Sequence, residues 1–378
     1  MHIVYVTNGR IPSRTANSLQ SMKVCAGFVA AGHEVTMVVP RFTRTLPTPY
    51  ELQQQYGVPV EFRIEWLRGY RALGRVAWET RAAAHALRRR GNLYFTINMR
   101  IAAALAALGR ATVLELHDPP ARRLDDRALR LLPRTRGLRA FVCVSHALRR
   151  ILTERIPGFS DCPVTVEPNG VDLARFAEAR SPAEARRALG WEDARLTAGY
   201  AGHLYEGRGF DMILTLAERF PDVSFRVMGG EPAAVADARA TVAERGLANV
   251  DVLGFIPNAE LPLYMQGCDV LLMPYASRVR ASGGGETAAF ANPMKMFEYM
   301  AAGRLIISSR LPGIEEVLNE SSALLCEPDD PAEWIAALDR AHDAELRSRL
   351  ESQARHDVLH YATDERARRI LSVAGVSA

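Results

Sequence analysis

Lysine is almost missing from this chain. Lys23 and Lys295 are the only two, and arginine supplies the rest of the 47 basic residues. Codon bias alone accounts for such a preference, yet it makes each lysine worth locating. Cysteine is sparse as well: Cys25, Cys143, Cys162, Cys268 and Cys326 lie far apart, odd in number and with no CxxC pair. That excludes a zinc ribbon or a disulfide framework and fits a reducing, cytoplasmic setting. No run approaches the roughly 18 uncharged apolar residues that a membrane span needs. The opening MHIVYVTNGR has no basic stretch before its apolar residues, so it reads as a first strand rather than a signal peptide. Familiar catalytic signatures are absent too. Thr7-Asn8-Gly9-Arg10 stands where a dinucleotide fingerprint would follow the first strand, which argues against an NAD-linked dehydrogenase. There is no Walker A loop, no HExxH and no GxSxG elbow. Nor is there an Asp-x-Asp, so a metal-dependent sugar-nucleotide fold of that type is not expected.

What remains is a long, evenly mixed chain. At 378 residues it exceeds one ordinary core, so two domains are expected. The net charge of +4 conceals an asymmetry: between Arg63 and Arg150 stand 19 arginines against Glu65, Glu79, Glu115, Asp118, Asp125 and Asp126. One-sided charge of this kind suits an anionic partner, whether a phosphate-rich substrate, a membrane surface or nucleic acid.

Short apolar runs alternate with amphipathic stretches throughout, the pattern of an α/β protein with parallel sheets. Strands are predicted at 2–7, 34–39, 62–67, 111–117, 139–145 and 163–168, and helices at 15–31 and 76–90 among others. The series restarts after the polar segment 172–195, with strands at 195–201, 223–229, 249–255, 269–274, 304–309 and 323–326. The expected architecture is two Rossmann-like domains facing each other across a cleft, 1–185 and 186–360, with the ligand at the carboxyl ends of the strands. The last stretch, 361–378, is amphipathic and is expected to cross back onto the first domain.

The most informative segment is Asn292-Pro293-Met294-Lys295-Met296-Phe297-Glu298-Tyr299-Met300-Ala301-Ala302-Gly303. Asn292 suits an N-cap, Pro293 a first helical position and Gly303 a stop. Met294, Phe297 and Ala301 fall on one apolar face, and Lys295 and Glu298 share a neighbouring one. The N-terminal turn at 293–295 is placed to meet an anion. A lysine there opposes the helix dipole, which makes sense beside a bound phosphate. The competing reading is a surface Lys295–Glu298 pair of small energetic weight.

This segment, continued by RLIISSRLPGIEEVL (304–318), resembles the family-four retaining glycosyltransferases of the GT-B fold. So, in order, do residues 6–40, ELHD (115–118), VSHALRRIL (144–152), EPNGVDLARF (167–176), AGHLYEGRGFD (201–211) and NVDVLGFIPNAELPLYMQGCDVLLMPY (249–275). The resemblance covers nearly the whole chain and implies roles residue by residue. Glu298 would accept hydrogen bonds from the ribose hydroxyls of a nucleotide-sugar donor. Arg208 and Lys295 would bind the donor diphosphate, with Gly202 and His203 in the loop beside them. Asn292, Pro293 and Met294 would line the donor pocket through the helix start. His117 would face the reacting sugar, with Asp118 orienting it or capping a helix. Asn17 and Ser18 occupy the donor-facing loop where relatives carry paired glycines. His33, His146 and Asn169 read as structural.

One departure stands out. The family pairs its ribose-binding glutamate with another eight positions earlier, and position 290 here is Phe290. Asn292, backbone groups of 291–294, or Glu286 in the triple-glycine loop 282–290 are the candidates to replace it. The resemblance thus implies a metal-independent, retaining transfer of a hexosyl group from a nucleoside-diphosphate sugar to an unidentified acceptor, with no cofactor. A nucleotide-sugar epimerase on the same fold, or a non-enzymatic membrane- or polyanion-binding protein, are the alternatives. The expected partners are the nucleotide sugar and the acceptor, with peripheral contact to anionic membrane through the arginine-rich first domain and no nucleic acid.

Overall fold

The computed structural model describes residues 1–191, 195–279 and 287–376. The chain folds into two compact units, Met1–Asp172 with Tyr361–Ala378, and Leu173–His360. Each is built on one all-parallel sheet with helices between successive strands.

The first unit carries β1 (His2–Val6), β2 (Glu34–Pro40), β3 (Arg63–Leu67), β4 (Leu93–Thr96), β5 (Thr112–Leu116), β6 (Leu138–Cys143) and β7 (Val164–Val166) in the order β3-β2-β1-β4-β5-β6-β7. Ile3, Val4, Tyr5 and Val6 of β1 are fully buried, as expected of a parallel strand covered on both faces. Strand β4 escaped the sequence reading. Its four residues run through Ile97 into the apolar helix Met99–Ala107, so only Asn98, the cap of that helix, marks the break. The helix expected at 76–90 is Tyr70–Arg88, kinked at Gly74, where the backbone turns to φ 75° and ψ 170°.

The second unit carries β8 (Thr197–Ala201), β9 (Ser224–Met228), β10 (Val250–Gly254), β11 (Val270–Met273), β12 (Leu305–Ser309) and β13 (Leu324–Cys326) in the order β10-β9-β8-β11-β12-β13. In this sheet the order turns back between β8 and β11, as it does between β1 and β4 in the first. Ligands of open parallel sheets bind outside the carboxyl ends of the strands at such a switch point. Trp334, fully buried, anchors the core on one face.

One boundary differs from expectation. The chain passes from one unit to the other at Asp172–Leu173, not near residue 185. The polar segment is the outer layer of the second unit rather than a linker: Phe176 is buried, and Arg186 pairs with Asp269 while donating to the Gly267 carbonyl at 2.8 Å. The last helix, Thr363–Val373, packs within the first unit against the helix Ala16–Ala30. Gly27 permits that approach, because a Cβ there would stand 2.7 Å from the Thr363 carbonyl oxygen. Among the described residues no helix is long and apolar enough to cross a membrane.

Candidate functional site

In the second unit the chemistry collects at the carboxyl ends of β8 and β11. Tyr200 lies in β8 and Tyr275 two residues beyond β11, and between their rings stands Lys295, on the helix Met294–Ala302. Its Nζ is 3.9 Å from the centre of the Tyr200 ring and 5.3 Å from that of Tyr275. The Tyr200 hydroxyl donates to the His203 carbonyl at 2.6 Å, which holds its ring in place. Gly202 makes the room: a Cβ on it would fall 2.5 Å from Lys295 Nζ, and its φ of +154° suits glycine. Tyr299, one turn further along the helix, accepts from the Ala201 N–H at 2.7 Å and so fixes the helix beneath β8.

Arg208 completes the group. Its Nη1 donates to the Tyr275 hydroxyl at 2.8 Å, and its guanidinium lies 5.0 Å from that ring centre. Lys295 Nζ and Arg208 Nε are both buried without a hydrogen-bond partner among the described residues, and neither side chain joins an ion pair there. Two cations share one tyrosine with no carboxylate between them. Burial, and then repulsion from Arg208, push the Lys295 ammonium well below the usual lysine range, while Glu298 pulls it the other way. Cation–π contact offsets part of that burial cost, and an entering anion would offset far more.

Glu298 does not pair with Lys295, the surface pair weighed above. It is 4% exposed, and its Oε1 accepts from Arg175 Nη1 at 3.1 Å. The helix is also buried all round from Met296 to Ala302, whereas Met294, expected on the apolar face, is only half-buried. Its N-cap is Pro293, not Asn292, with no side-chain cap. Proline has no N–H, and Met296 N donates to the Pro293 carbonyl at 3.1 Å, so Met294 and Lys295 carry the N–H groups of the first turn that the helix does not use. Asn292 is buried just ahead of it, and Phe290 is buried in the short turn Ala288–Phe290, where it offers no acceptor. His203 stacks on Tyr205 at 4.8 Å with the rings nearly parallel. Gly283, Gly284, Gly285 and Glu286 lie outside the described residues.

In the first unit, His117 follows β5, and its Nε2 lies 3.1 Å from Oε1 of Glu115. Glu115, not Asp118, orients it. Asp118 is exposed and caps no helix, since the next one begins at Arg123. Glu115 is wholly buried and also meets Arg366 Nη2 at 2.8 Å. Burial alone would raise its carboxyl; Arg366 and His117 together bring it down to about 2. With Glu115 accepting at Nε2, the neutral imidazole keeps Nδ1 as an acceptor. Asn17 and Ser18 lie in the first turn of the helix Ala16–Ala30 rather than in a loop. Asn17 is exposed, but the Ser18 hydroxyl is buried and donates to the carbonyls of Ser13, at 3.0 Å, and Thr15, at 2.8 Å. Ser18 therefore braces the preceding loop and is not an open donor.

The structure thus brings Lys295, Arg208, Gly202 and His203 into one group and sets Glu298 on the same helix as Lys295; His117, Asn17 and Ser18 belong to the other unit. Tyr200, Tyr275, Arg175, Glu115 and Arg366 were missed. All but Arg366, which lies in the last helix, fall inside or beside the quoted motifs, but a tyrosine at a strand end reads as core until its neighbours are known. Among the described residues no group of three or more His, Cys, Asp or Glu side chains is placed to hold a metal ion.

Comparison with known proteins follows the two units. A family model described as Glycosyltransferase Family 4 matches residues 22–175, and one described as Glycosyl transferases group 1 matches residues 195–343. The chain is 32% identical over 215 residues to a 2-deoxystreptamine glucosyltransferase of Streptomyces kanamyceticus, covering 53% of this chain and 52% of that protein. To TuaH of Bacillus subtilis it is 28% identical over 212 residues, covering 56% and 50%. The chain spans about half the length of the curated relatives it matches. The crystal structure of HepE from Anabaena in complex with UDP and glucose superposes with a TM-score of 0.74 at 16% identity, covering 99% of both chains. Sucrose-phosphate synthase from Thermosynechococcus elongatus gives 0.73 at 16% identity, covering 98% of both. At such identities these structures speak for the fold alone, two parallel sheets with alternating helices. Taken with the two family models, they place the chain among the family-four glycosyltransferases of the GT-B fold.

Proposed function

We propose that this protein transfers a hexosyl group, with retention of configuration, from a nucleoside-diphosphate sugar to an acceptor hydroxyl, and that it does so without a metal ion. The observation that carries this reading is the pair Lys295 and Arg208 beside Tyr275, half-buried side chains whose Nζ and Nε atoms are buried with no counter-anion among the described residues. Breaking a sugar–diphosphate bond leaves negative charge on the leaving group. Two fixed cations and the N-terminus of the helix Met294–Ala302 form a preorganised field for that charge. Glu298 then serves as acceptor for the ribose diol, since a carboxylate can take hydrogen bonds from two O–H groups. With Phe290 apolar, Asn292 and the helix-start backbone are left to meet the sugar hydroxyls. In the first unit, His117, oriented by Glu115, is the group proposed to meet a sugar hydroxyl. For retention we adopt the same-face course that the family resemblance implies, in which the departing phosphate takes the acceptor's proton. The acceptor is a saccharide, a lipid-linked sugar or a small molecule. The arginine-rich stretch of the first unit suits a phosphorylated acceptor or an anionic membrane surface.

The test is binding, then turnover. UDP, GDP and ADP are titrated into the protein in EDTA by calorimetry, for wild type and Lys295→Met. One of the three should bind, and the variant should lose about tenfold or more in affinity. Trials with the matching donor and candidate acceptors should release free nucleoside diphosphate together with a glycosylated product. Release of nucleotide sugar with its sugar epimerised, or binding that requires a divalent cation, would sink the proposal.

A further inference from the structure

Arg175 lies in the short turn Leu173–Phe176, the first element of the second unit. Its side chain is 8% exposed and faces Glu298, whose side chain is 5% exposed. The guanidinium serves two partners from two elements. Nη1 donates to Glu298 Oε1 at 3.1 Å, and Nη2 donates to the carbonyl of Asn258, in the loop after β10. The Phe176 ring centre lies 5.6 Å from the guanidinium carbon, a further constraint on its plane.

Buried ion pairs are poor stabilisers, because desolvation offsets most of their attraction. What such a pair does well is hold direction. A lone glutamate on a helix has three torsions to settle, and a diol can be gripped only if both carboxylate oxygens are correctly aimed. Arginine fits this task because its planar fork reaches a carboxylate and a carbonyl at once, which a lysine ammonium on a flexible stem does not.

We infer that Arg175 is the positioning residue for the Glu298 carboxylate and, through it, sets selectivity for a ribonucleotide over its 2′-deoxy counterpart. This rests on the reading of Glu298 as acceptor for the ribose hydroxyls. Arg175 itself touches no ligand in this scheme; it acts by aiming the group that does.

The experiment measures dissociation constants by calorimetry for UDP, GDP and ADP against their 2′-deoxy forms, using the full chain. Wild type should prefer the ribose form of the nucleotide it binds by about tenfold or more, the worth of a hydrogen bond to a charged acceptor. Glu298→Gln should reduce that ratio. Arg175→Lys should reduce it likewise, to within about threefold of unity, while affinity for the 2′-deoxy form stays within about threefold of wild type. Should Arg175→Lys fail to melt cooperatively, the double variant Arg175→Met with Glu298→Gln removes both charges and decides. It should match Glu298→Gln alone in ratio and in affinity. A folded Arg175→Lys that keeps the full preference, or a double variant weaker than Glu298→Gln for the 2′-deoxy form, overturns the inference. No preference in wild type, or no binding of any of the three, overturns the reading of Glu298 itself and this role with it.

Discussion

Lys295 Nζ stands 3.9 Å from the centre of the Tyr200 ring, buried and with no hydrogen-bond partner among the described residues. A cation kept in that position costs folding free energy, a cost that an anion bound at the proposed site would offset. Lys295→Met keeps the length and apolar stem while removing the charge. The melting temperature should rise by about 2–4 °C, as a gain of about 1 kcal/mol gives in a unit of this size. Nucleoside-diphosphate affinity should fall at least about tenfold in the same variant. A lower melting temperature with unchanged binding would place Lys295 in an ordinary structural role.

Proton linkage follows from the same geometry. In the empty protein, burial and Arg208 hold the Lys295 ammonium well below the usual lysine range. A diphosphate beside it favours the charged form, so its value in the complex is higher. Between the two values binding takes up a proton, and affinity falls as pH rises through that window. Stability of the empty protein moves the opposite way, rising with pH from the depressed folded value toward the ordinary one. Calorimetry in two buffers of different ionisation enthalpy, between about pH 7 and 10, checks the first statement. Identical heats in both buffers throughout would refute it.

Arg366 and Glu115 make the corresponding test in the first unit. Glu115 is brought down to about 2 against the pull of burial, by Arg366 and His117. Its folded value is depressed, so its contribution is complete above the ordinary carboxylate range and is lost as pH falls from there toward about 2. Arg366→Ala strands a buried carboxylate and should cost about 3–5 kcal/mol at neutral pH, with acid unfolding moved upward in pH. Far-ultraviolet circular dichroism across an acid titration reads both effects. Since Arg366 belongs to the last helix, removing Thr363–Val373 should reproduce them.

Two glycines separate site damage from fold damage. A Cβ at Gly202 would meet side-chain ends rather than backbone: Lys295 Nζ at 2.5 Å and the Tyr200 hydroxyl at 3.1 Å. Gly202→Ala should therefore keep a cooperative melt, within about 1–3 kcal/mol of wild type, yet lose nucleoside-diphosphate binding as the lysine is displaced. At Gly209 the same atom would fall 1.7 Å from the Pro274 carbonyl oxygen, against rigid backbone at φ +85°. Gly209→Ala should lose stability first. Paired melting and titration curves distinguish the two.

How much of this was legible beforehand differs by element. The strands β8 to β13 were readable because each is a short apolar run set off by polar or glycine-bearing turns. β4 was not, because Leu93–Thr96 leads almost directly into another apolar stretch. The Met294–Ala302 helix was visible from Pro293 and Gly303, but the cap fell one residue later than expected, since proline's fixed φ also fits an extended ψ of 134°. Ser18 reads in the sequence as part of a loop, and only the folded turn reveals that the Ser13 and Thr15 carbonyls use its hydroxyl.

The sequence by itself determined the α/β class, the two-unit plan and the family, and it singled out Lys295, Arg208, Glu298 and His117 as candidates. Those are matters of local pattern and of motif order along the chain. Partnership was decided only by the tertiary structure. Arg175 and Glu298 are 123 residues apart, and Arg366 and Glu115 are 251 apart. Charges at such separations carry no periodic signal, because what brings them together is sheet order and helix packing, and burial then makes each pairing matter.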